Sequence, residues 1–275
     1  NFSATTNVHD PVENLPVQVR HVECVDCHNP HYANGNTAAA PFANGQIQGV
    51  PGVDSDGNAV AEIQYEYELC YKCHADSPDK PGTNIPRQIV QTNVRLEFDP
   101  SNPSFHPVEA AGTNPDVPSL LPPYTESSII YCTDCHASSG AGAAEGPHGS
   151  IYFHLLKYNY ETADNTTESY AAYELCYQCH DRNSIINNTS TGYGDRVHNK
   201  HIVEENTPCS VCHDAHGISS GQGNSTNNSH LINFNTAVVS GARPGGQLEF
   251  IDNGDFAGEC WLTCHGRNHR GRSYN

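Results

Sequence analysis

Apolar positions in this 275-residue chain seldom keep a period for long. Residues 59–71 contain good helix formers with apolar side chains at Ile63, Tyr67 and Tyr71, and this spacing of four predicts a short helix. Residues 90–98 alternate instead. Val90, Val94, Leu96 and Phe98 are set against Gln91, Asn93, Arg95 and Glu97, which predicts one strand. That strand has no obvious partner, because residues 237–240 form too short a run to supply one. The polar segment 1–23, with Pro11 and Pro16, reads as extended chain, residues 34–58 as an aperiodic Gly/Asn/Pro-rich loop, and 115–123 as a Pro-rich connector. The expected fold class is therefore mostly irregular coil with a few short α-helices and little β.

Cysteine gives the chain its organisation. Glu68-Leu69-Cys70-Tyr71-Lys72-Cys73-His74 returns almost unchanged as Glu174-Leu175-Cys176-Tyr177-Gln178-Cys179-His180. The same Cys-x-x-Cys-His pattern stands at Cys24, Cys27 and His28, at Cys132, Cys135 and His136, and at Cys209, Cys212 and His213. A sixth version at Cys260, Cys264 and His265 has one more residue between its cysteines. Together these motifs use all 12 cysteines. Two thiols at this spacing followed at once by histidine form the c-type haem attachment pattern, in which the thiols tether one porphyrin and the histidine is its natural proximal iron ligand. Zinc and thiol redox sites also use paired cysteines, but five regular copies, each followed by His, leave those readings little room. Six covalent haem c groups are the expectation.

The motifs come in pairs. Cys24 and Cys70 stand 46 apart and Cys132 and Cys176 stand 44 apart, an internal duplication with a period of 106 to 108 residues. Cys209 and Cys260, 51 apart, form a more diverged third pair. One domain over residues 1–275 is expected, with haem pairs at about 20–110, 125–195 and 196–275.

Composition supports a cofactor-filled interior. Hydrophobic residues make up only 36%, with 23 Gly and 18 Pro, so burial against porphyrin must replace much of the usual aliphatic core. The net charge of −18 disfavours nucleic acid and anionic lipid and favours cationic partners. Arg267, Arg270 and Arg272 are the basic exception, read as a solvated tail, as propionate partners or as a docking patch. No apolar run is long enough to span a bilayer. A chain that begins at Asn1 and has no methionine reads as one whose leader has been removed, and haem attachment to such motifs implies export to the extracellular space or cell surface. Sequons at Asn1, Asn165, Asn187, Asn188, Asn224 and Asn227 are compatible with surface glycosylation.

With no methionine, few lysines and 17 histidines, the economical supplier of a second axial ligand is histidine, giving six bis-histidine haems. Eight spare histidines are candidates. His31 and His216 each follow a motif histidine by three residues, too close to reach the far face of their own porphyrin, so each should serve a neighbouring haem. His148 is a third candidate for that part, after a loop insertion. His21 and His201 precede a motif and could fold over its own haem, while His106 and His198 follow the second motif of a pair. His230 has a weaker case, and His9, His154 and His269 the weakest.

On these motifs, and on the Cys-x-x-Cys-His-x-x-His runs that end at His31 and His216, the chain resembles the extracellular multihaem c-type cytochromes, in particular the filament-forming (nanowire) OmcS and OmcE type. The resemblance covers motif spacing from about residue 24 to 265. It implies a continuous line of haems and homopolymer formation, with His31 ligating a haem of the adjacent protomer. Other cytochromes or extracellular acceptors would be its electron partners. A polymeric electron conduit, a monomeric shuttle and a multihaem reductase of nitrogen or sulfur oxyanions are the three functions in competition. No catalytic residue is expected in the first two.

Overall fold

The computed structural model describes residues 22–76, 84–187, 197–254 and 256–274. The expected extended segment over residues 1–23 lies almost wholly outside them, as do His9 and His21. Most of the described chain is turns and irregular loops, interrupted by short helices α1 (Cys24–Cys27), α2 (Glu66–His74), α3 (Val94–Phe98), α4 (Cys132–Cys135), α5 (Glu174–Tyr177) and α6 (Arg182–Asn187).

Four of these helices coincide with motifs for a local reason. In α1 the Glu23 N–H donates to Asp26 Oδ2 at 2.7 Å, and in α4 the Tyr131 N–H donates to Asp134 Oδ2 at 2.8 Å. The acid between the two cysteines thus caps the turn that carries them. Glu68 does this for α2, accepting from the Gln64 and Tyr65 amides at 2.6 and 2.9 Å. The turn closes when the motif histidine's own N–H reaches the first cysteine's carbonyl: His28 to Cys24 at 2.8 Å, His136 to Cys132 at 2.9 Å, His180 to Cys176 at 3.0 Å and His213 to Cys209 at 2.9 Å.

Two expected elements are corrected. The helix expected over 59–71 begins only at Glu66, because Ala59 and Val60 form strand β2 (Ala59–Val60), antiparallel to β1 (Gly52–Val53). The strand expected over 90–98 is the helical turn α3. The Asn93 side chain accepts from the Arg95 amide at 3.1 Å and starts the turn, and burial falls on Asn93, Glu97 and Phe98. Alternation without a partner strand could not satisfy the backbone, and a capping asparagine decided the conformation.

Sheet is more abundant than expected. Strands β3 (Ser104–Phe105) and β4 (Gly217–Ile218) form a short antiparallel ladder between distant segments. Gly217 is needed there, because a Cβ would lie 2.1 Å from the Glu97 carbonyl oxygen. At the C-terminal end, β7 (Gly258–Cys264) pairs with β8 (Arg267–Tyr274) along one edge. Its other edge pairs with β6 (Glu249–Asp252) and then with β5 (Val239–Ser240). Of residues 237–240, Val239 and Ser240 pair with β7 and not with residues 90–98. Both cysteines of the sixth motif lie inside β7, so that stretch is extended rather than helical.

Apolar packing is divided into small clusters, each beside a motif. Tyr67, Tyr71 and Phe98 pack with Cys132 at their edge, Tyr173, Tyr177, Ile186 and Ile202 pack with Cys209, and Val211, Phe234, Phe250 and Leu262 pack with Cys212, Cys260 and Cys264. The duplicated phrase is equivalent in space: the Tyr71 hydroxyl donates to Glu109 at 2.5 Å, and the Tyr177 hydroxyl to Glu168 at 3.1 Å.

Glu66 on α2 accepts the Thr133 hydroxyl of α4 at 2.5 Å and joins the second motif to the third. It is 6% exposed, and this burial, partly offset by Thr133, raises its pKa from 4.5 to about 7. A raised carboxyl favours the fold while protonated, so this contribution is complete below about pH 4.5 and lost as pH rises through 7. Raising the pH from 5 to 8 should cost roughly 2–3 kcal/mol through this group. The E66Q variant should flatten that slope, checked by guanidinium unfolding at the two pH values.

Candidate functional site

A continuous cavity of 3430 Å³ runs through the molecule, where ligand pockets usually hold about 300–1,000 Å³. All twelve cysteines line it, as does every described histidine except His31. The thiols are free rather than disulfide-bonded. Burial pushes Cys73, Cys135, Cys212 and Cys260 up to about 12, which disfavours their charged form. Among the described residues no group of three or more His, Cys, Asp or Glu is placed to hold a free metal ion.

The motifs follow one another in space in chain order. Lys72 of the second motif donates to the Asp26 carbonyl of the first at 2.5 Å, and the Cys70 thiol is hydrogen-bonded to Cys132. Cys135 lies near Cys179 and Cys176, the Cys176 thiol is hydrogen-bonded to Cys209, and Cys212 packs on the same apolar cluster as Cys260 and Cys264. Each motif therefore lies close to the next.

Histidines come together in pairs. Two imidazoles bound to one metal from opposite sides, through bonds of about 2 Å, have ring centres roughly 6 Å apart. Among the described residues, rings stand at 5.9 Å for His28 and His148, 6.5 Å for His106 and His180, and 6.0 Å for His136 and His216. The spacing is 6.2 Å both for His198 with His213 and for His201 with His269. Four of these pairs join a motif histidine to a spare one. Interplanar angles range from 7° for His28 with His148 to 64° for His106 with His180.

The second ring nitrogen is anchored repeatedly. Nδ1 faces a carbonyl oxygen in His28 (Gln46, 2.9 Å), His136 (His154, 2.9 Å), His213 (His230, 2.8 Å), His106 (Ala215, 2.5 Å) and His201 (Val197, 2.8 Å). In His216 it faces Glu97 Oε2 at 2.9 Å, and in His180 the Ser119 hydroxyl at 3.0 Å. An Nδ1 opposite a carbonyl carries the proton, which leaves the Nε2 lone pair for a metal, as metal-binding histidines generally require. Burial holds His136, His180 and His213 down at about 4 and His198 at about 3, so these rings are neutral at pH 7. Burial also pulls on His216, but the Glu97 charge and hydrogen bond outweigh it and raise its pKa. This donor set of paired thiols and neutral imidazoles with a free Nε2 fits covalent haem c.

Several of these placements differ from the sequence reading. His198, not His201, faces His213. His106, which follows the second motif in sequence, faces the fourth, and His148, read as serving a neighbouring haem, faces the first. His269, ranked among the weakest, stands in a ring pair, whereas His230 contacts Asn114 at 2.9 Å and Asp252 at 3.5 Å. His154 Nε2 lies 2.9 Å from Asn84 Nδ2. His31 is exposed and outside the cavity. His74 lines the cavity, and His21 lies outside the described residues.

Other supporting residues were not foreseen. Buried Arg87 donates to the carbonyls of Ser210, Asn233 and His213 at 2.6 to 2.9 Å and holds the fifth motif. The β3–β4 ladder places both His106, whose N–H donates to the His216 carbonyl at 2.8 Å, and His216 itself. The carbonyls that hold the first, third and fifth motif histidines come 18, 18 and 17 residues further along the chain. Two of them belong to His-Leu pairs at positive φ, His154-Leu155 and His230-Leu231, and that recurrence was a usable signal.

The family model of the doubled CXXCH motif matches residues 122–184, which hold the third and fourth motifs. Comparison with curated proteins and with solved structures gives no match. The family match supports a multihaem c-type cytochrome whose CXXCH motifs carry covalently bound haem c. Replacing both Cys132 and Cys135 with Ser should lower the mass of the denatured protein by one haem, read by intact mass spectrometry. An unchanged mass would show that this motif carries none.

Proposed function

We propose that the chain carries electrons over long distances through six bis-histidine haems and polymerises outside the cell into a cytochrome filament. The observation that carries this reading is the succession of motifs in chain order, with imidazole pairs 5.9 to 6.5 Å apart along one cavity. Haem c supplies one-electron exchange between ferric and ferrous iron when bound. The chain's own residues keep rings in place: backbone carbonyls, Glu97 and Ser119 fix seven of the imidazoles. An iron with histidine on both faces has no open position for a substrate, which favours transfer over catalysis. Rigid ligands also keep reorganisation small.

Filament assembly rests on His31. It follows the first motif, projects from the surface and stands outside the cavity that takes in the other described histidines. Its exposure supports the reading that it ligates a haem of the adjacent protomer, as the resemblance to filament-forming cytochromes implies. No helix among the described residues is long and apolar enough to cross a membrane, and export to the cell exterior accords with haem attachment of this type. A monomeric shuttle is the competing reading and uses the same haem line.

Negative-stain microscopy of the purified, haem-loaded protein should show fibres, and His31→Ala should leave soluble protomers with an unchanged visible spectrum. Wild-type protein that stays monomeric at all concentrations would favour the shuttle, and normal polymerisation of the variant would remove His31 from the contact.

A further inference from the structure

The sixth motif does not share the geometry of the others. On a helical turn, residues i, i+3 and i+4 lie on one face, so Cys, Cys and His all point to the same porphyrin. In an extended strand side chains alternate. Cys260, Leu262 and Cys264 of β7 share a face, and the next side chain, His265, belongs to the opposite one. His265 in fact leaves the strand. With φ of 47° it forms, with Gly266 at 75°, the two-residue turn between β7 and β8, the conformation of a type I′ hairpin. Its Nε2 lies 2.9 and 3.1 Å from the two carboxylate oxygens of Asp164. A ring nitrogen against a carboxylate carries a proton and has no lone pair for iron.

The face that holds the two thiols has another imidazole. Leu262 is opposite His269 in the β7–β8 register, and cross-strand partners share a face, so His269 stands midway between Cys260 and Cys264. Arg267 and Arg272, opposite Cys264 and Cys260, flank it on that face, where guanidinium groups suit propionates. The His269 ring lies 6.2 Å from that of His201, the spacing of the four pairs that contain a motif histidine. The Val197 carbonyl holds His201 Nδ1 at 2.8 Å, the same anchoring seen in the motif histidines.

We propose that the iron of the sixth haem is held between His201 and His269, and that His265 is a positioning residue that pins the hairpin tip to Asp164. This rests on the multihaem reading above. The longer spacing between the cysteines then has a physical sense. On a strand, a separation of two or four keeps two thiols on one face, and a separation of three would not.

The test uses haem-loaded protein with His269→Ala, His201→Ala and His265→Asn, asparagine being tolerated at positive φ. Electron paramagnetic resonance and visible spectra of the ferric protein should show one haem's worth of high-spin signal in each alanine variant, reversed by added imidazole. His265→Asn should stay fully low-spin. Reversal by imidazole separates a lost ligand from misfolding, which free imidazole would not repair. A high-spin signal in His265→Asn, or no change in His269→Ala, overturns the proposal while the multihaem reading stands. Wild-type protein without covalently bound haem overturns both.

Discussion

Two thiols and an imidazole can serve one porphyrin only if the backbone presents all three on one side, and a single helical turn does this with the fewest residues. That constraint accounts for most of the regular structure in the first two-thirds of the chain. The acids within the motifs, Asp26 and Asp134, start the turn from inside, and the motif histidine's own amide closes it. The remaining chain then brings in second imidazoles, often from far away: His216 reaches the third motif and His106 the fourth, both positioned by the ladder of β3 and β4. Short helices separated by long loops are therefore what the ligand geometry requires.

The same logic explains the division of apolar packing. No cluster among the described residues is large enough to act as a domain core, and three of them border cysteines that line the shared cavity. Stability depends on polar fixtures as much as on these clusters. Arg87 satisfies three carbonyls around the fifth motif from a buried position, where an unpaired guanidinium would be costly. The carbonyl anchors 17 or 18 residues beyond the odd-numbered motifs repeat with the duplication and hold ring orientation, not only ring position.

What could be read from residues alone followed the strength of local rules. The motif turns, the irregular remainder and the equivalence of Tyr71 with Tyr177 were legible because spacing and capping act within a few residues. The partners of the spare histidines were not, because most depend on contacts between distant parts of the chain, such as His28 with His148 and the bridge from His216 to Glu97. The strand expected at 90–98 failed when Asn93 offered the backbone a nearer solution. The C-terminal sheet was missed because β7 was read as a motif loop, although Cys260, Leu262 and Cys264 already alternate with Trp261 and Thr263. His269 was undervalued for the same reason: its placement comes from strand register, which no motif encodes.

The unequal tilts of the imidazole pairs bear on energy as well as on geometry. The near-parallel rings of His28 and His148 and the steeply crossed rings of His106 and His180 would split the iron d orbitals differently if each pair clasps one metal. Haems of identical chemistry would then differ in magnetic anisotropy and in affinity for the electron, and the line would be graded rather than level. Backbone carbonyls, by setting those tilts, would shape the descent along which charge flows.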